Sequence, residues 1–164
     1  MADVLKPSPT ATQSATGIHV ARLPSFSKPA KGRSANMRAI HSSGNKTTEI
    51  RLVSLLIEHR LRGWKLHPPH LLGNPDLLIP KGQVAVFVDG CFWHGCPECG
   101  HLPKTNRAYW RAKITRNRLR DVRITRTLRR AGYHVVRLWE CDLRQRPKVC
   151  LGRIRRALQM GASK

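Results

Sequence analysis

The most constraining part of this sequence is residues 84–99, which read VAVFVDGCFWHGCPEC. All residues from Val84 to Val88 are apolar, and this loss of alternation predicts a strand that is buried on both faces of a sheet. Asp89 ends the strand, and a histidine, two aromatic residues and three cysteines follow. A carboxylate at the end of a buried strand, beside side chains of the metal-binding types, indicates a reaction centre rather than a surface turn.

The chain carries far more positive charge than solubility requires. Its 164 residues include 31 Lys and Arg against 9 Asp and Glu, a formal net charge of +22. This excess predicts a polyanion as partner. We find no apolar run near the roughly 18 residues of a membrane span, and no apolar core of a signal peptide. We therefore expect a cytoplasmic, nucleoid-associated protein without membrane contact, in whose reducing environment clustered cysteines are more often metal ligands than disulfides.

The length is that of one domain with a tail. Residues 1–35 are rich in Ser, Thr, Ala, Pro and Lys and have no hydrophobic period, which predicts a disordered basic arm that either contacts phosphates or is only solvated. Residues 36–160 would form the folded domain, an α/β layer in which helices flank a mixed sheet. The predicted elements are helix 48–62, strands 64–67, 76–79 and 84–88, helix 106–131, strand 133–139 and helix 147–160.

The first predicted helix has clear signals at both ends. Thr47 or Thr48 can cap its start, and Gly63 can follow its end. Its predicted buried stripe consists of Ile50, Val53, Ile57 and Leu61, widened by Leu52 and Leu56. Glu49 lies in the first turn, where a carboxylate either complements the helix dipole or takes part in catalysis.

Acidic residues are informative in so basic a chain, because a carboxylate facing a polyanion is repelled unless a cation lies between them. If the hairpin turn centres on Lys81-Gly82, Asp76 pairs opposite Phe87. Asp89 is then a diagonal neighbour of Asp76 at about 7–8 Å. This register would let Mg²⁺ bridge the two carboxylates, with phosphate oxygens completing its shell, whereas a slip of one residue would separate them.

A group of cysteines has the spacing of a structural zinc site, which takes four nitrogen or sulfur ligands. The candidate ligands are Cys91, Cys96, Cys99 and Cys141. In an alternative ligand set, His101 replaces the third of them and Cys150 the fourth. The thiols could also be buried without a metal. A zinc ion here would fix the loop after the third strand to the end of the fourth strand.

His94 lies between the first two of these cysteines and has three possible roles. It could be a metal ligand, a packed core histidine or a general base. Beside carboxylates and a polyanionic partner, we favour a base that deprotonates water for attack on phosphorus.

Aromatic and basic side chains supply candidate DNA contacts. Phe92 and Trp93 either pack in the core or form a wedge that enters between base pairs, and Trp110 could join that wedge. The predicted helix 106–131 carries ten Lys and Arg, Arg111 among them, against the single acid Asp121. Internal pairing cannot neutralise this helix, so we expect it to contact phosphates.

Together these motifs resemble the very short patch repair (Vsr) DNA mismatch endonucleases of bacteria, over about residues 34–145. The resemblance rests on SANMRAI at 34–40, TE at 48–49, GNPD at 73–76, FVDGCFWHGCP at 87–97, PKTN at 103–106, YW at 109–110, Asn117, RD at 120–121 and LWEC at 138–141. It implies a restriction-endonuclease-like fold and a Mg²⁺-dependent nick 5′ to the thymine of a T:G mismatch in double-stranded DNA. Such mismatches arise when 5-methylcytosine deaminates. It also implies a monomer that works with mismatch-repair proteins and a cytosine methyltransferase system.

The resemblance assigns roles by position. Asp76 matches the metal-binding aspartate, His94 the catalytic histidine and Glu49 the acid of the first helix. Asp89 stands where members carry Asp or His, and His94 would take over the task of a lysine that the third strand lacks. The intercalating aromatics correspond to Phe92, Trp93 and Trp110. The zinc ligands correspond to Cys91, Cys96 and Cys141, with Cys99 where many members have histidine. The further DNA contacts implied are Met37, Arg38 and Arg111.

Two other functions also fit parts of the sequence. A non-catalytic, zinc-stabilised nucleic-acid-binding module accounts for the charge and the cysteines but gives Asp76, Asp89 and His94 no task. A nuclease of the same fold could instead cut a different DNA substrate. A nicking assay on mismatched and paired duplexes separates the three functions.

Overall fold

The computed structural model describes residues 23–25 and 46–162 of the chain. The predicted arm at 1–35, apart from 23–25, lies outside the described residues, as do the predicted DNA contacts Met37 and Arg38. In the described part of the chain, no helix is long and apolar enough to cross a membrane.

The described elements follow the predicted order, with two short helices in addition. The helices are α1 (Lys46–Glu58), α2 (Cys91–His94), α3 (Arg107–Arg130), α4 (Glu140–Gln145) and α5 (Pro147–Ala162). The strands are β1 (Lys65–Leu66), β2 (Leu77–Ile79), β3 (Val84–Asp89) and β4 (His134–Trp139), and a 3-10 turn, Pro80–Gly82, joins β2 to β3. The helices α2 and α4 were not predicted, because four or six residues are too few to establish a helical period.

The four strands form one mixed sheet in the order β1-β2-β3-β4. β1 and β2, and β2 and β3, are antiparallel, whereas β3 and β4 are parallel. Leu77 lies opposite Val86, so the same register continued by one residue sets Asp76 opposite Phe87, as predicted. The predicted burial of β3 is also confirmed, since only Val88 on this strand is partly exposed.

Helices cover both faces of the sheet, which confirms the predicted α/β class. On one face α1, α4 and α5 pack against the strands through a core that includes Leu52, Leu56, Val86, Leu138, Leu143 and Ile154. On the other face α3 packs through a smaller core of Leu71, Leu78, Ala85, Phe87, Leu128 and Val135. The central strands β2 and β3 therefore have no polar face, and the carboxylates of Asp76 and Asp89 lie where these strands begin and end.

The predicted buried face of α1 is wrong in part. Leu52 and Leu56 are buried as predicted, but Ile50 and Ile57 are 60% and 64% exposed, and Leu55 is buried in their place. The sequence offers two apolar stripes on this helix, and periodicity cannot choose between them. Tertiary packing selects between them, because the leucine stripe is the one that packs against the sheet.

The predicted end of α1 is also wrong. The helix ends at Glu58 rather than near residue 62. Arg60 takes a left-handed φ of 56°, and the Leu61 N–H donates to the Leu56 carbonyl at 2.9 Å, which closes the helix. Glycine usually occupies this capping position, so the sequence pointed to Gly63 instead.

The long helix α3 ends where predicted. Gly132 takes a φ of 89°, and the Tyr133 N–H donates to the Leu128 carbonyl at 3.0 Å. This cap returns the chain directly into β4, which pairs with β3. The middle of α3 therefore lies beside the end of β3.

Candidate active site and metal centres

A cleft of about 740 Å³ opens beside the end of β3. The helices α1, α2 and α3, the loop before β2, and β4 all contribute to its wall. The four predicted catalytic residues, Glu49, Asp76, Asp89 and His94, line this one cleft. The sheet brings Asp76 and Asp89 together, because β2 begins and β3 ends at the same end of the sheet. Glu49 is added by α1 and His94 by α2.

Asp76 is held in the cleft by a turn with unusual backbone geometry. Gly73 and Asn74 have left-handed φ angles of 84° and 51°. A side chain at Gly73 would come within 2.5 Å of Ile124 on α3, so the turn packs directly on that helix. The backbone N–H of Val88 donates to Asp76 Oδ2 at 2.7 Å, which fixes the carboxylate against β3.

The surroundings of Asp76 oppose its negative charge. Burial raises the pKa of its carboxyl above the ordinary value. The N–H of Val88 and the imidazole of His67 favour the charged form, whereas the carboxylates of Glu49 and Asp89 disfavour it. A cation at this position would relieve the crowding of negative charge.

His67 joins Glu49 and Asp76 in one compact group. Its Nε2 lies 3.3 Å from Glu49 Oε1, and one ligand atom from each of the three residues lies within 4.8 Å of the others. This group could hold a divalent cation. Sequence reasoning did not single out His67. The available signal was strand register, because the His67 N–H donates to the Asp76 carbonyl at 3.1 Å and so continues the β1-β2 pairing.

Asp89 is bonded to an arginine that was not predicted as a site residue. Arg137 on the neighbouring strand donates from Nε and Nη2 to the two Asp89 carboxylate oxygens, at 2.8 and 2.5 Å. The guanidinium also lies over the ring of Phe87, 4.8 Å from its centroid. Asp89 is therefore neutralised by a protein cation, and its predicted role as a Mg²⁺ ligand stays a prediction.

His94 forms a short hydrogen bond with a carboxylate on α3. Its Nδ1 lies 2.5 Å from Asp121 Oδ2 and 3.6 Å from Asp89 Oδ1. Arg137 Nη2 is 3.2 Å from the other oxygen of Asp121. Imidazole, carboxylates and guanidinium thus form one connected group at the wall of the cleft.

Asp121 remains charged in spite of its burial. Burial alone would raise its pKa, but the hydrogen bond with His94 and the charge of Arg137 bring that pKa below the ordinary value. Sequence reasoning treated Asp121 only as the one acid of a basic helix. Its isolation among so many cations was the signal that could have identified it.

Three aromatic rings form a cluster at the rim of the cleft. The ring of Phe92 is 5.0 Å from that of Trp93 and 5.1 Å from that of Trp110, and the two indoles are 5.9 Å apart. All three side chains are partly exposed, and they belong to neither core. Asn117 supports the cluster from α3, because its Nδ2 donates to the Trp93 carbonyl at 2.8 Å.

The four predicted zinc ligands lie together. The cluster consists of Cys91, Cys96, Cys99 and Cys141, whose sulfur atoms lie within 4.8 Å of one another. Two of these, on Cys96 and Cys141, are 3.7 Å apart. Sulfur atoms at about 2.3 Å from one tetrahedral zinc ion would be about 3.8 Å apart, so the spacing suits that ion. The alternatives are less well placed, since His101 packs near the ring of Phe92 and Cys150 is buried in the larger core.

Without a bound cation, burial favours the protonated form of these thiols. Burial raises the pKa of Cys91, and it raises that of Cys141 to about 11. Burial also opposes a thiolate at Cys96, but hydrogen bonds from the N–H groups of Cys99 and Glu98 bring its pKa below the ordinary value. A metal ion that binds here would therefore displace protons from the cluster.

Comparison with known proteins finds one consistent set of relatives. A family profile described as DNA mismatch endonuclease Vsr matches residues 26–100, a range that includes all four predicted catalytic residues. The type II nicking enzyme V.NaeI of Lentzea aerocolonigenes is 41% identical over 116 residues, which cover 66% of this chain and 68% of that enzyme. V.NmeAIP of Neisseria meningitidis serogroup A, also a type II nicking enzyme, is 34% identical over 129 residues, or 77% and 89% of the two chains. The DNA mismatch endonuclease Vsr of Escherichia coli K12 is 37% identical over 119 residues, or 71% and 74%.

Proposed function

Because the chain belongs to the Vsr family of DNA mismatch endonucleases, and is thus an endodeoxyribonuclease of restriction-endonuclease-like fold, we propose that it nicks DNA 5′ to the thymine of a T:G mismatch. Deamination of 5-methylcytosine would supply this mismatch. The enzyme would act as a monomer, alongside mismatch-repair proteins and a cytosine methyltransferase system.

One observation carries the proposal: two chemically different groups lie together, one in the wall of the cleft and the other sharing Glu49 and Asp76 with that wall. His94 and Asp121 form an imidazole–carboxylate pair. Glu49, His67 and Asp76 form a group of candidate cation ligands. A module that only held nucleic acid would need neither group, and it would bury the charge of Asp121 without benefit.

His94 is proposed as the general base. With its Nδ1 proton donated to Asp121 Oδ2, the lone pair of the ring is on Nε2, which can accept a proton from a water molecule that attacks phosphorus. The imidazolium formed in this way is stabilised by Asp121 and by Asp89, both close to Nδ1. The charge of Arg137 helps to keep the pKa of Asp121 low, so the Nδ1 proton stays on the imidazole rather than moving to the carboxylate.

The candidate cation ligands fit a divalent ion in number, charge and spacing. Glu49, His67 and Asp76 would hold it, and we propose that Mg²⁺ supports nicking. When bound, such an ion offsets negative charge that builds on the phosphate. Asp89, also predicted as a ligand, would have to exchange its bonds with Arg137 for the ion.

The cysteine cluster is proposed to hold a structural zinc ion, with Cys91, Cys96, Cys99 and Cys141 as ligands. The sulfur spacing supports this choice. Cys91 begins α2, and Cys141 follows β4. The ion would therefore fix the helix that carries His94 to the strand that carries Arg137.

The aromatic cluster is proposed to recognise the mismatch. Phe92, Trp93 and Trp110 would enter beside the weakened pair, since partly exposed apolar rings can replace lost base stacking. Arg111, exposed on α3, would contact a phosphate. Met37 and Arg38 remain proposed DNA contacts on the resemblance alone.

A strand-specific nicking assay tests the proposed function. Duplexes that differ only in one pair, T:G or T:A, are labelled on each strand in turn and incubated with zinc-loaded protein and Mg²⁺. We expect one nick, in the thymine strand of the T:G duplex, immediately 5′ to the mismatched base. Asp76→Ala should bind both duplexes and nick neither, and Trp93→Ala should lose preference for the mismatch more than total affinity.

Two other outcomes would overturn the proposal. Cleavage regardless of pairing would identify a nuclease with a different DNA substrate, an alternative favoured by the relatives that are described as type II nicking enzymes. Binding without cleavage, with Mg²⁺ present and zinc bound, would identify a non-catalytic DNA-binding module.

A further inference from the structure

We propose that His67 is a direct nitrogen ligand of the cation in the cleft, and that this ligand makes the site bind Mn²⁺ in preference to Mg²⁺. The inference rests on the proposed function, because it concerns the same cation. It adds a ligand that the sequence motifs do not include, and it changes which ion the site selects.

The position of His67 is fixed by the backbone that also carries Asp76. The His67 N–H donates to the Asp76 carbonyl at 3.1 Å, so the two residues lie opposite each other where the β1-β2 pairing ends. Two prolines follow His67, and the first of them, Pro68, is buried. The histidine is therefore held beside Asp76 by chain that is constrained on both sides.

The backbone at His67 adopts a conformation that side chains seldom take. Its φ of 43° lies in the left-handed region, where histidine is enriched but still uncommon. With an ordinary extended φ, the strand would continue in its pleat and carry the imidazole along a different direction. In the observed left-handed conformation, the ring is oriented so that its Nε2 lies 3.3 Å from Glu49 Oε1.

The distances match one coordination sphere. Ligand atoms about 2.1 Å from an octahedral ion are about 3.0 Å apart when adjacent and about 4.2 Å apart when opposite. The 3.3 Å between His67 and Glu49 corresponds to adjacent ligands, and all three ligand atoms, with Asp76, lie within 4.8 Å of one another.

A nitrogen ligand alters the choice of ion. Mg²⁺ prefers a shell of oxygen atoms and keeps several waters, whereas first-row transition ions accept imidazole readily. Of these ions Mn²⁺ binds thiolates most weakly, so it can occupy the cleft while zinc stays in the cysteine cluster. Two carboxylates and one imidazole therefore favour Mn²⁺ here over Mg²⁺.

Electron paramagnetic resonance on zinc-loaded protein with one equivalent of Mn²⁺ tests the inference without any nicking. Free and bound Mn²⁺ are counted from the continuous-wave spectrum, and Mg²⁺ competition gives the relative affinity. Pulsed spectra detect a ¹⁴N nucleus bonded to the manganese. We expect this nitrogen signal in the unmodified chain, and Mn²⁺ affinity that exceeds Mg²⁺ affinity by about tenfold or more.

The variant His67→Asn keeps the backbone, because asparagine also takes left-handed φ angles. It should lose the ¹⁴N signal and about tenfold in Mn²⁺ affinity, while Mg²⁺ affinity changes less than threefold. His70→Asn is the matched control, since His70 is exposed and lies in none of the groups of candidate metal ligands among the described residues. The control should keep both the signal and the affinity.

Several outcomes would overturn the inference. If Mn²⁺ binds without a ¹⁴N signal, or if the signal survives in His67→Asn, the nitrogen ligand is not His67, although the proposed nicking function stands. If the unmodified chain binds no divalent cation in the cleft, the inference fails together with the proposed cation site. A nicking defect in His67→Asn that leaves the nitrogen signal unchanged would place the role of His67 elsewhere.

Discussion

Asp76 is buried beside the carboxylates of Glu49 and Asp89, and burial raises its pKa. An acid whose pKa is higher in the folded than in the unfolded state costs stability once it ionises, and this cost disappears as the pH falls through the raised value. At neutral pH and without a cation, Asp76 therefore opposes folding. The proposed cation site would require the same charge, so under the proposed function stability and activity make opposite demands on this residue.

We predict that Asp76→Asn stabilises the zinc-loaded protein at pH 7.5 without other divalent ions, by about 1 kcal/mol. The asparagine carbonyl can still accept the hydrogen bond from Val88, while the charge is removed. Denaturant unfolding measures the difference. Adding Mn²⁺ should stabilise the unmodified chain and not the variant. A variant that is less stable in both conditions would contradict this account of Asp76.

The pKa of Asp121 is shifted in the opposite direction, so its contribution to stability also depends on pH in the opposite way. Its pKa is lowered by His94 and Arg137 in spite of its burial, so its contribution to stability is present above the unfolded pKa and is lost as the pH falls through the lowered value. At neutral pH the carboxylate is thus fully available to hold the Nδ1 proton of His94.

We predict that Asp121→Asn slows single-turnover nicking about 10²-fold to 10⁴-fold, because the imidazolium loses its charged partner. The variant should also be less stable at pH 7. The gap should begin to close below about pH 4, where aspartate in the unfolded chain takes up protons, and should vanish as the pH falls through the lowered pKa of Asp121. Glu58→Gln, which alters an exposed acid of α1 outside the cleft, is the control and should match the unmodified chain. Nicking by Asp121→Asn at the unmodified rate would remove Asp121 from the mechanism.

At the scale of elements, α2 depends on its attachments. Four residues cannot form a stable helix alone, because the conformational entropy lost in helix nucleation exceeds the free energy gained from the hydrogen bonds of one turn. Cys91 ties its start to the cysteine cluster, and Asn117 of α3 donates to the Trp93 carbonyl within it. Phe92, Trp93 and His94 are three of the four residues of this helix. The cysteine cluster therefore fixes the position of α2, and with it the three side chains for which we propose roles in catalysis and recognition.

We predict that the turn at Gly100 is essential for the cysteine cluster to hold α2 in position. A Cβ there would lie 2.4 Å from the Cys96 carbonyl oxygen and 2.7 Å from its nitrogen, both backbone atoms that cannot move aside easily. Gly100→Ala should therefore lower the zinc content of the purified protein, its thermal stability and its nicking rate together. Elemental analysis and thermal unfolding measure the first two.

Gly152→Ala in α5 is the matched control, because a Cβ at that position meets nothing within 4 Å. Alanine in a helix should leave stability unchanged or raise it by up to about 1 kcal/mol. Full zinc content in Gly100→Ala would show that the turn can open, and that the cysteine cluster does not depend on a glycine at this position.

Across the whole molecule, charge is divided between two regions. The net charge of +22 is carried largely by exposed Lys and Arg, whereas acids are gathered in the cleft, as Asp76, Asp89 and Asp121. The outer surface thus attracts DNA in general, and the cleft accepts a phosphate only where a cation or Arg137 offsets the carboxylates. Under the proposed function, attraction and cleavage would be carried out by different parts of the surface.

We predict that binding to paired DNA depends steeply on salt. If six phosphates are contacted, affinity should fall about 10³-fold between 50 and 200 mM salt, because each contact releases counterions. Fluorescence anisotropy with a labelled duplex measures this slope. The single-turnover rate at saturating protein should change little over the same range. An affinity that does not depend on salt would mean that the basic surface does not contact the backbone.

Local patterns in the sequence determined much of the fold. The apolar run of β3, the register of the β2-β3 hairpin and the end of α3 at Gly132 were all predicted, because each depends on residues that are neighbours in the chain. Part of the buried stripe of α1 and the end of that helix were predicted wrongly. The leucine face rather than the isoleucine face packs against the sheet, and Arg60 adopts a backbone angle that glycine usually takes.

The sequence by itself determined which residue types gather at the end of β3, and hence that a carboxylate, an imidazole and thiols share one region. Only the tertiary structure decided their partners. Asp121 lies 27 residues from His94, and Arg137 lies 48 residues from Asp89. Alternation along a strand or helix fixes the face on which a side chain lies, but not which distant side chain meets it. That choice depends on how α3 and β4 pack against β3, which the summed burial of both cores decides.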